Sequence, residues 1–317
     1  MSTTSTAQTL EVPGYQVLQY LGSGARSTIW QIRDRRTSQV FALKRVVKHH
    51  AGDVRFLEQA VNEYEVASKL SHPAIRKIPT IRRLKHWLSV REVHLVMEYC
   101  EGKTIQESVP DSHGEVIRVF HVVADALAHM NARGFVHADI KPNNILVGPD
   151  GSVKIIDLGQ SCLIGTVKQR IQGTPDFIAP EQVYRRPLDA RTDVYNFGAS
   201  LYWTLMGKPI PTVLPKRNAD TPSSATAISD MRIVPPAEEN PAISTPLSKL
   251  IMDCVQTRQS LRPASMSEVA NRLELIGHAM SNPAGAAPIE LELEEPDHSS
   301  DDTDIMTAID ADDIDKL

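Results

Sequence analysis

Cysteine is scarce in this chain of 317 residues: Cys100, Cys162 and Cys254 are odd in number and far apart, with no CxxC pair. That argues against a disulfide framework or a zinc ribbon and fits a reducing compartment. Long apolar runs are missing too. The most apolar stretch, Phe197 to Met206, is too short to cross a bilayer. The opening MSTTSTAQTL has no basic start followed by an apolar run. No secretory signal and no membrane partner are therefore expected, and the expected location is cytoplasmic. No internal repeat is visible.

What is present is an ordinary globular balance, 41% apolar and 23% charged, which excludes a wholly disordered chain. The length is about two domains' worth and can bury a core without disulfides or metals. The net charge of −5 hides an asymmetry. Residues 290–317 carry 12 acidic side chains and one basic, net −11, which leaves 33 basic and 27 acidic, net +6, on residues 1–289. An acidic tail thus follows a mildly basic body, whose charge is too dilute to imply a nucleic-acid partner.

Along the chain, residues 1–11 read as a disordered arm rich in Ser and Thr. YQVLQYL, TIWQIR, VFALKRV and HLVMEY have the texture of strands. A helical period runs over Asp53–Leu70, marked by Val54, Leu57, Val61, Tyr64 or Glu65, and Ser68. The second half turns helical. Val116, Val119, Phe120, Val123, Leu127 and Met130 form a stripe that Gly134 ends. A GPDG hairpin follows, then helical patterns around Asp193–Met206 and Leu247–His278. Between those two, Pro209–Pro246 holds 8 of the 21 prolines and predicts an irregular excursion.

Four clusters carry the chemistry. Gly22-Ser23-Gly24-Ala25-Arg26-Ser27-Thr28-Ile29 lies between two strands, where glycines let backbone N–H groups approach phosphate oxygens. Alone it reads better as a hairpin turn, and with no helix following it does not fit a dinucleotide fold. Lys44, in Ala42-Leu43-Lys44, is placed to hold phosphates, and Glu63 on the helix to fix it; by themselves both are ordinary surface charges. In His137-Ala138-Asp139-Ile140-Lys141-Pro142-Asn143-Asn144, Asp139 can orient or accept a hydroxyl proton. Lys141 can neutralise a transferring phosphoryl group, and Asn144 can ligate a divalent ion. Asp157 of Asp157-Leu158-Gly159 adds a hard oxygen ligand for Mg2+.

In this order, with GTPDFIAPE at Gly173–Glu181, the clusters resemble the eukaryotic-like Ser/Thr protein kinase family in its bacterial branch, over residues 14–278. The resemblance implies an α+β fold of two lobes: a small antiparallel sheet with one main helix over 12–99, and a larger helical lobe over 100–280. The irregular insert would occupy 209–246 and a disordered acidic tail 281–317. It implies ATP and Mg2+ as cofactors and proteins bearing Ser or Thr as partners. Lys44 would contact the phosphates and pair with Glu63, Asp139 would be the base, Lys141 would stabilise charge, and Asn144 and Asp157 would hold Mg2+. Met97 looks like the gatekeeper, with Glu98 to Cys100 as the hinge; Ile29, Ala42 and Leu146 would sandwich adenine. Leu21, Gly22, Ser23, Gly24, Ala25 and Ser27 complete the nucleotide-facing set. Lys141 together with Thr174 matches the Ser/Thr-specific subgroup. Asp193 resembles the brace of the catalytic loop, Arg262 the partner of Glu181, and His137 a packing residue.

Three departures stand out: Ser27 replaces the third loop glycine, Leu158 the usual Phe, and Ala138 the usual Arg that pairs with a phosphorylated activation segment. Two rival readings remain beside the kinase: a pseudokinase scaffold that binds ATP, and a small-molecule phosphotransferase, which GTPDFIAPE argues against. For the tail, the plain reading is a solubilising segment. Ile305, Met306, Ile309 and Ile314 among the acids, with Thr303 and Thr307, also allow docking on the body or on a partner.

Overall fold

The computed structural model describes residues 10–24, 26–87, 89–211 and 233–281. Ala25, most of the proline-rich excursion, the acidic tail and all but the end of the expected arm lie outside the described residues.

Alternating apolar and polar side chains put the first third of the chain into strands. These are β1 (Tyr15–Gly24), β2 (Ser27–Asp34), β3 (Val40–Val47), β4 (Thr80–His86) and β5 (Ser89–Glu98), all antiparallel in the order β1-β2-β3-β5-β4. On one face Leu43 joins Val12, Ile32 and Val96 in a small core, against which Leu10 packs. The opposite face presents Ala42, Val46, Val93, Leu95 and Met97 to the main core. Lys44 shares that second face by the two-residue period of the strand.

Across this face lies α1 (Val54–Ala67), and its buried side differs from the predicted stripe. Leu57, Ala60, Glu63, Val66 and Ala67 are buried, whereas Val54 is exposed and Val61 only partly covered. The apolar period misleads because the helix turns a carboxylate inward. Glu63 is 1% exposed, and a cation on the sheet is what permits this.

The second half is helical. α2 (His113–Ala132) starts where the Ser112 side chain accepts a hydrogen bond from the Glu115 N–H at 3.2 Å and ends at Gly134, φ +81°. Its predicted stripe is the buried one, Val116 through Met130. β6 (Lys103–Thr104), β8 (Ile145–Val147) and β9 (Val153–Ile155) form a small sheet, in which β8 and β9 are the hairpin around GPDG. β7 (Phe135–Val136) pairs with β10 (Cys162–Leu163). The short α3 (Pro180–Val183) precedes α4 (Ala190–Met206), which packs on α2 through an edge-to-face contact of Phe120 and Phe197 with centroids 5.3 Å apart. After the short α5 (Pro236–Glu239) come α6 (Thr245–Cys254) and α7 (Met266–Ser281). A Cβ on Gly198 of α4 would come within 2.5 Å of the Cys254 Cβ, so glycine sets how closely α4 and α6 approach.

The pattern expected over Leu247–His278 is therefore two helices. The break falls at Ser260-Leu261-Arg262-Pro263, where proline cannot donate to a helix and Arg262 is drawn elsewhere. Its guanidinium makes two hydrogen bonds to Glu181, at 2.7 and 2.9 Å, with both side chains at most 2% exposed. It also lies over the Tyr195 ring at 4.8 Å.

Two backbone joints between the sheet lobe and the helical lobe stand out among the described residues. One joint is the run from Glu98 to Cys100. The other is a backbone ladder, Ile155 N–H to Ala74 C=O at 2.7 Å and Arg76 N–H to Ile155 C=O at 3.0 Å. Among the described residues no helix is long and apolar enough to cross a membrane.

Arg262→Met should cost about 3–5 kcal/mol of unfolding free energy, because Glu181 would stay buried without its cation. Urea unfolding measures it. A loss below about 1 kcal/mol, the worth of an exposed pair, would contradict this account of the Arg262–Glu181 pair.

Candidate active site

Between the lobes lies a cavity of about 560 Å³ lined by Leu21, Ser23, Gly24, Ser27, Ile29, Ala42, Lys44, Cys100, Lys141, Asn144, Leu146 and Asp157 among others. All of these were singled out from the sequence. A second cavity of about 430 Å³ continues it and holds Asp139 with Gln59, Gly159 and Gln160. Three expected nucleotide-facing residues are not on the wall. Met97 is fully buried behind it, Gly22 is absent from the lining, and the Glu98 carboxylate turns away to Lys154 Nζ at 2.7 Å. Only the Glu98 backbone remains at the hinge. Ala25 lies outside the described residues.

The cleft begins with a charge cluster. Lys44 Nζ lies 2.6 Å from Glu63 Oε2 and 3.8 Å from Asp157 Oδ1. Burial alone would lower the Lys44 pKa, but Asp157 and Glu63 outweigh it and hold the ammonium protonated, above its ordinary value. Burial pushes the Glu63 carboxyl up, opposed by Lys44 and Arg76. Burial would also raise Asp157. There Lys44, the Gly159 N–H at 3.0 Å, His137 and Arg76 prevail and keep the group below the ordinary carboxylate range.

Arg76 escaped the sequence reading. It sits inside the apolar run PAIRKIP, where a charge without a helix or strand pattern carries no signal of function. It lines the nucleotide-sized cavity. Its guanidinium lies 3.8 Å from Glu63 Oε1 and donates to the carbonyl of Ile156, the residue before Asp157. Asn62 adds a second tie from the same helix, donating to the carbonyl of Ser161 at 2.9 Å. Lys44, Arg76 and Asn62 thus bind α1 to both β3 and the Asp157 segment. Tyr99 of the hinge run and Asn143 of the loop cluster also line the wall, as do Gly102 and Ile156, which no motif marked.

At the other end, Asp139 is 8% exposed. Its Oδ2 accepts from Lys141 Nζ at 3.0 Å, and its Oδ1 accepts from the Thr174 hydroxyl at 3.0 Å and the Thr174 N–H at 3.1 Å. Lys141 Nζ also donates to the Thr174 hydroxyl at 2.7 Å. Burial pushes the Asp139 carboxyl above its ordinary 3.8, against the pull of Lys141. The loop is held from below by Asp193, which accepts from the backbone N–H groups of His137 at 3.0 Å and Ala138 at 2.9 Å. His137 is fully buried, its Nδ1 accepts the Asp139 N–H at 3.2 Å, and burial keeps its pKa low, as a packing residue requires. Ala138 sits at φ +61°, a left-handed conformation that costs a non-glycine residue about 1–2 kcal/mol. Its methyl packs with Val136, Leu188 and Cys162.

The donor set fits Mg2+ carried with a nucleotide. Asn144 spends its Nδ2 on the Asp139 carbonyl at 2.8 Å, which leaves Oδ1 for a cation, and the Asp157 carboxylate opens on the same cavity with 41% of its side chain exposed. Among the described residues no group of three or more His, Cys, Asp or Glu forms a metal cage. Two hard oxygen ligands completed by phosphate and water is the arrangement Mg2+ tolerates best.

The protein-kinase-domain family model matches residues 15–273, and the chain belongs to that family. It is similar to a probable serine/threonine-protein kinase of Clostridium acetobutylicum, 29% identical over 82% of this chain and 39% of the relative. A probable serine/threonine-protein kinase of Corynebacterium efficiens is 29% identical over 87% and 43%. The cAMP-dependent protein kinase type 3 of Saccharomyces cerevisiae is 29% identical over 75% and 58%. The chain thus spans roughly two-fifths to three-fifths of the length of these relatives.

Arg76→Met should lower unfolding stability by about 1.5–3 kcal/mol, the worth of hydrogen bonds to charged groups, offset in part because the buried Arg76 Nε has no partner to lose. The half-saturating Mg2+ concentration for nucleotide binding should rise with it, read by titration calorimetry. Arg83→Met, at an exposed pair with Glu65 of 3.9 Å, is the control and should move neither.

Proposed function

We propose that this chain transfers the γ-phosphoryl group of MgATP to Ser and Thr hydroxyls of proteins. The observation that carries this is the Asp139–Lys141–Thr174 triangle, all edges within 3.0 Å, set beside the cavity that Lys44, Asn144 and Asp157 line. A base without a neighbouring cation would repel the incoming phosphate; here the cation and the base share one hydroxyl. Thr174 marks where an acceptor hydroxyl can lie, within reach of both Asp139 and Lys141. Similarity to Ser/Thr protein kinases points the same way.

Mg2+, when bound through Asn144 and Asp157, would neutralise phosphate charge. The chain's own groups do the rest. Lys44, held protonated by Glu63 and Asp157, positions phosphate oxygens. Asp139 takes the hydroxyl proton as the acceptor oxygen bonds the γ-phosphorus and the bond from that phosphorus to the β–γ bridging oxygen breaks, releasing ADP. Lys141 stabilises the charge that develops on the transferring group.

The activation segment is held in place without a phosphate. β10 pairs with β7, the Thr166 carbonyl accepts from the Leu188 N–H at 3.0 Å, and Gln182 Nε2 bridges the carbonyls of Ala138 and Gln172 at 2.8 and 3.1 Å. Apolar packing of Ala138, Leu188 and Cys162 fills the position beside the loop where a phosphate-reading arginine would start. Ser161 is itself buried, at 1% exposure.

Radiolabel from MgATP should appear on Ser or Thr of a generic protein substrate and fall at least about a thousandfold in Asp139→Asn. No label in either protein, with MgATP binding intact, would establish the scaffold reading instead. The Ser161→Ala, Thr166→Ala double variant should keep activity within a few-fold; a loss of about a hundredfold would show that phosphorylation there is required.

The pH dependence follows from the sign of the Asp139 shift. The base works ionised, and burial raises its pKa above 3.8, so activity must fall as pH drops through that raised value. The acid limb of kcat/KM for the acceptor should therefore lie above pH 3.8. A limb at or below that value would contradict the assignment.

A further inference from the structure

The cavity that holds Asp139 does not end at the catalytic loop. Gln59, Gly159 and Gln160 line it and also line a neighbouring groove of about 230 Å³ between α1 and the activation segment. The groove carries Arg55, Lys168 and Arg170 against one carboxylate, Glu58. Among the described residues no carboxylate lies within 4.0 Å of those three cations. Arg55 rests on the ring of Phe56 at 4.6 Å, and Lys168 donates to the Gln160 carbonyl at 2.8 Å. Neither contact neutralises the charge.

The same imbalance runs along the segment. Residues 163–186 carry Lys168, Arg170, Arg185 and Arg186, against Asp176 and Glu181, and Glu181 is spent on Arg262. Four cations therefore face one unspent carboxylate. Arg185 reaches back to the Gln169 carbonyl at 3.3 Å, which brings it beside the groove cations. Leu163, Ile164, Val167 and Ile171 on this stretch are 45–59% exposed, an apolar surface interleaved with the positive charge. The acidic side chains Glu101, Asp111 and Glu115 line a different cavity, which shares no lining residue with the one that holds Asp139.

We propose that the acceptors of this kinase are threonines set among carboxylates and aliphatic side chains, and that one of them is the chain's own Asp301-Asp302-Thr303-Asp304-Ile305-Met306-Thr307. This rests on the phosphotransfer reading above. The carboxylates would lie against Arg55, Lys168 and Arg170 while the hydroxyl reaches Asp139, and Ile305 and Met306 would meet the exposed aliphatic side chains of the segment. The 20 residues from Asn282 to Asp301 span up to about 66–72 Å when extended. The reaction is the one already written: the Thr oxygen bonds the γ-phosphorus, its proton passes to Asp139, and ADP leaves.

Two peptides test it with the full chain as enzyme: residues 299–312 as they stand, and the same peptide with its aspartates replaced by asparagine. The acidic peptide should have the higher kcat/KM by about tenfold, as a few screened ion pairs would give, and the ratio should shrink with added salt. In the Arg55→Glu, Arg170→Glu double variant, whose unfolding temperature should match the wild type, the ratio should collapse towards one. Mass spectrometry of the intact chain after MgATP should find phosphate on Thr303 or Thr307. A ratio of one or less in the wild type, or one that charge reversal leaves unchanged, overturns the substrate class. A high ratio with an unmodified tail overturns only the tail as acceptor. If a lysine-rich threonine peptide is labelled and the acidic one is not, the kinase reading stands and this inference falls. If no acceptor is labelled, the phosphotransfer reading falls. Anisotropy of the fluorescent acidic peptide then decides the groove by itself, through weaker binding to the charge-reversed protein or equal binding to both.

Discussion

A carboxylate 1% exposed cannot stay ionised without cations at hand, and Glu63 has two of them, from different parts of the chain. Lys44 comes from the central strand of the small sheet. Arg76 comes from the segment that ladders onto β9. For both to meet Glu63, α1 must lie inward, the sheet must hold its register, and the Ile155–Asp157 segment must stand where the Arg76 guanidinium can reach the Ile156 carbonyl. The cost of burying one charge is thus spread over three elements that make up the nucleotide side of the cleft. This also explains why the helix does not bury the face that its apolar period marks.

The acceptor side is organised by a different compromise. Ala138 occupies a backbone conformation that its side chain disfavours, and the loop keeps it there through hydrogen bonds that the N–H groups of His137 and Ala138 donate to the fully buried Asp193. The strain aims the next residue, Asp139, at Lys141 and Thr174. With an arginine at position 138 the same loop would present a cation to the activation segment. With alanine it presents a methyl, and the segment answers with Leu188 and Cys162. Apolar contact and backbone pairing replace a charge pair that would depend on modification.

How much of this was legible depended on the length of the signal. Lys44, Asp139, Lys141, Asn144 and Asp157 could be found because each lies in a short run whose spacing follows from one local element, a strand or a tight loop. The α2 stripe was readable because twenty residues of one helix keep one face buried. β4 was not seen: its TIRRLKH alternates too weakly, and most of it is exposed. The Leu247–His278 pattern ran two helices together because the residue that separates them, Arg262, leaves the helix for a partner 81 positions away. Arg76 was hidden for the same reason. Its contacts are made across the fold, and nothing in its neighbourhood along the chain announces them.

These two halves of the cleft meet at Asp157, and their charges are not independent. Lys44 stays protonated partly because of Asp157, and Asp157 stays ionised largely because of Lys44, with Arg76 and His137 adding to it. A change that removes one charge therefore shifts the others, and effects at Lys44, Glu63, Arg76 and Asp157 will not add. The Asn62 and Arg76 ties anchor this network from the protein's own side chains. The other wall is different: Arg55, Lys168 and Arg170 have no carboxylate within 4.0 Å among the described residues, and with the exposed aliphatic side chains beside them they leave that groove open to a segment of complementary charge.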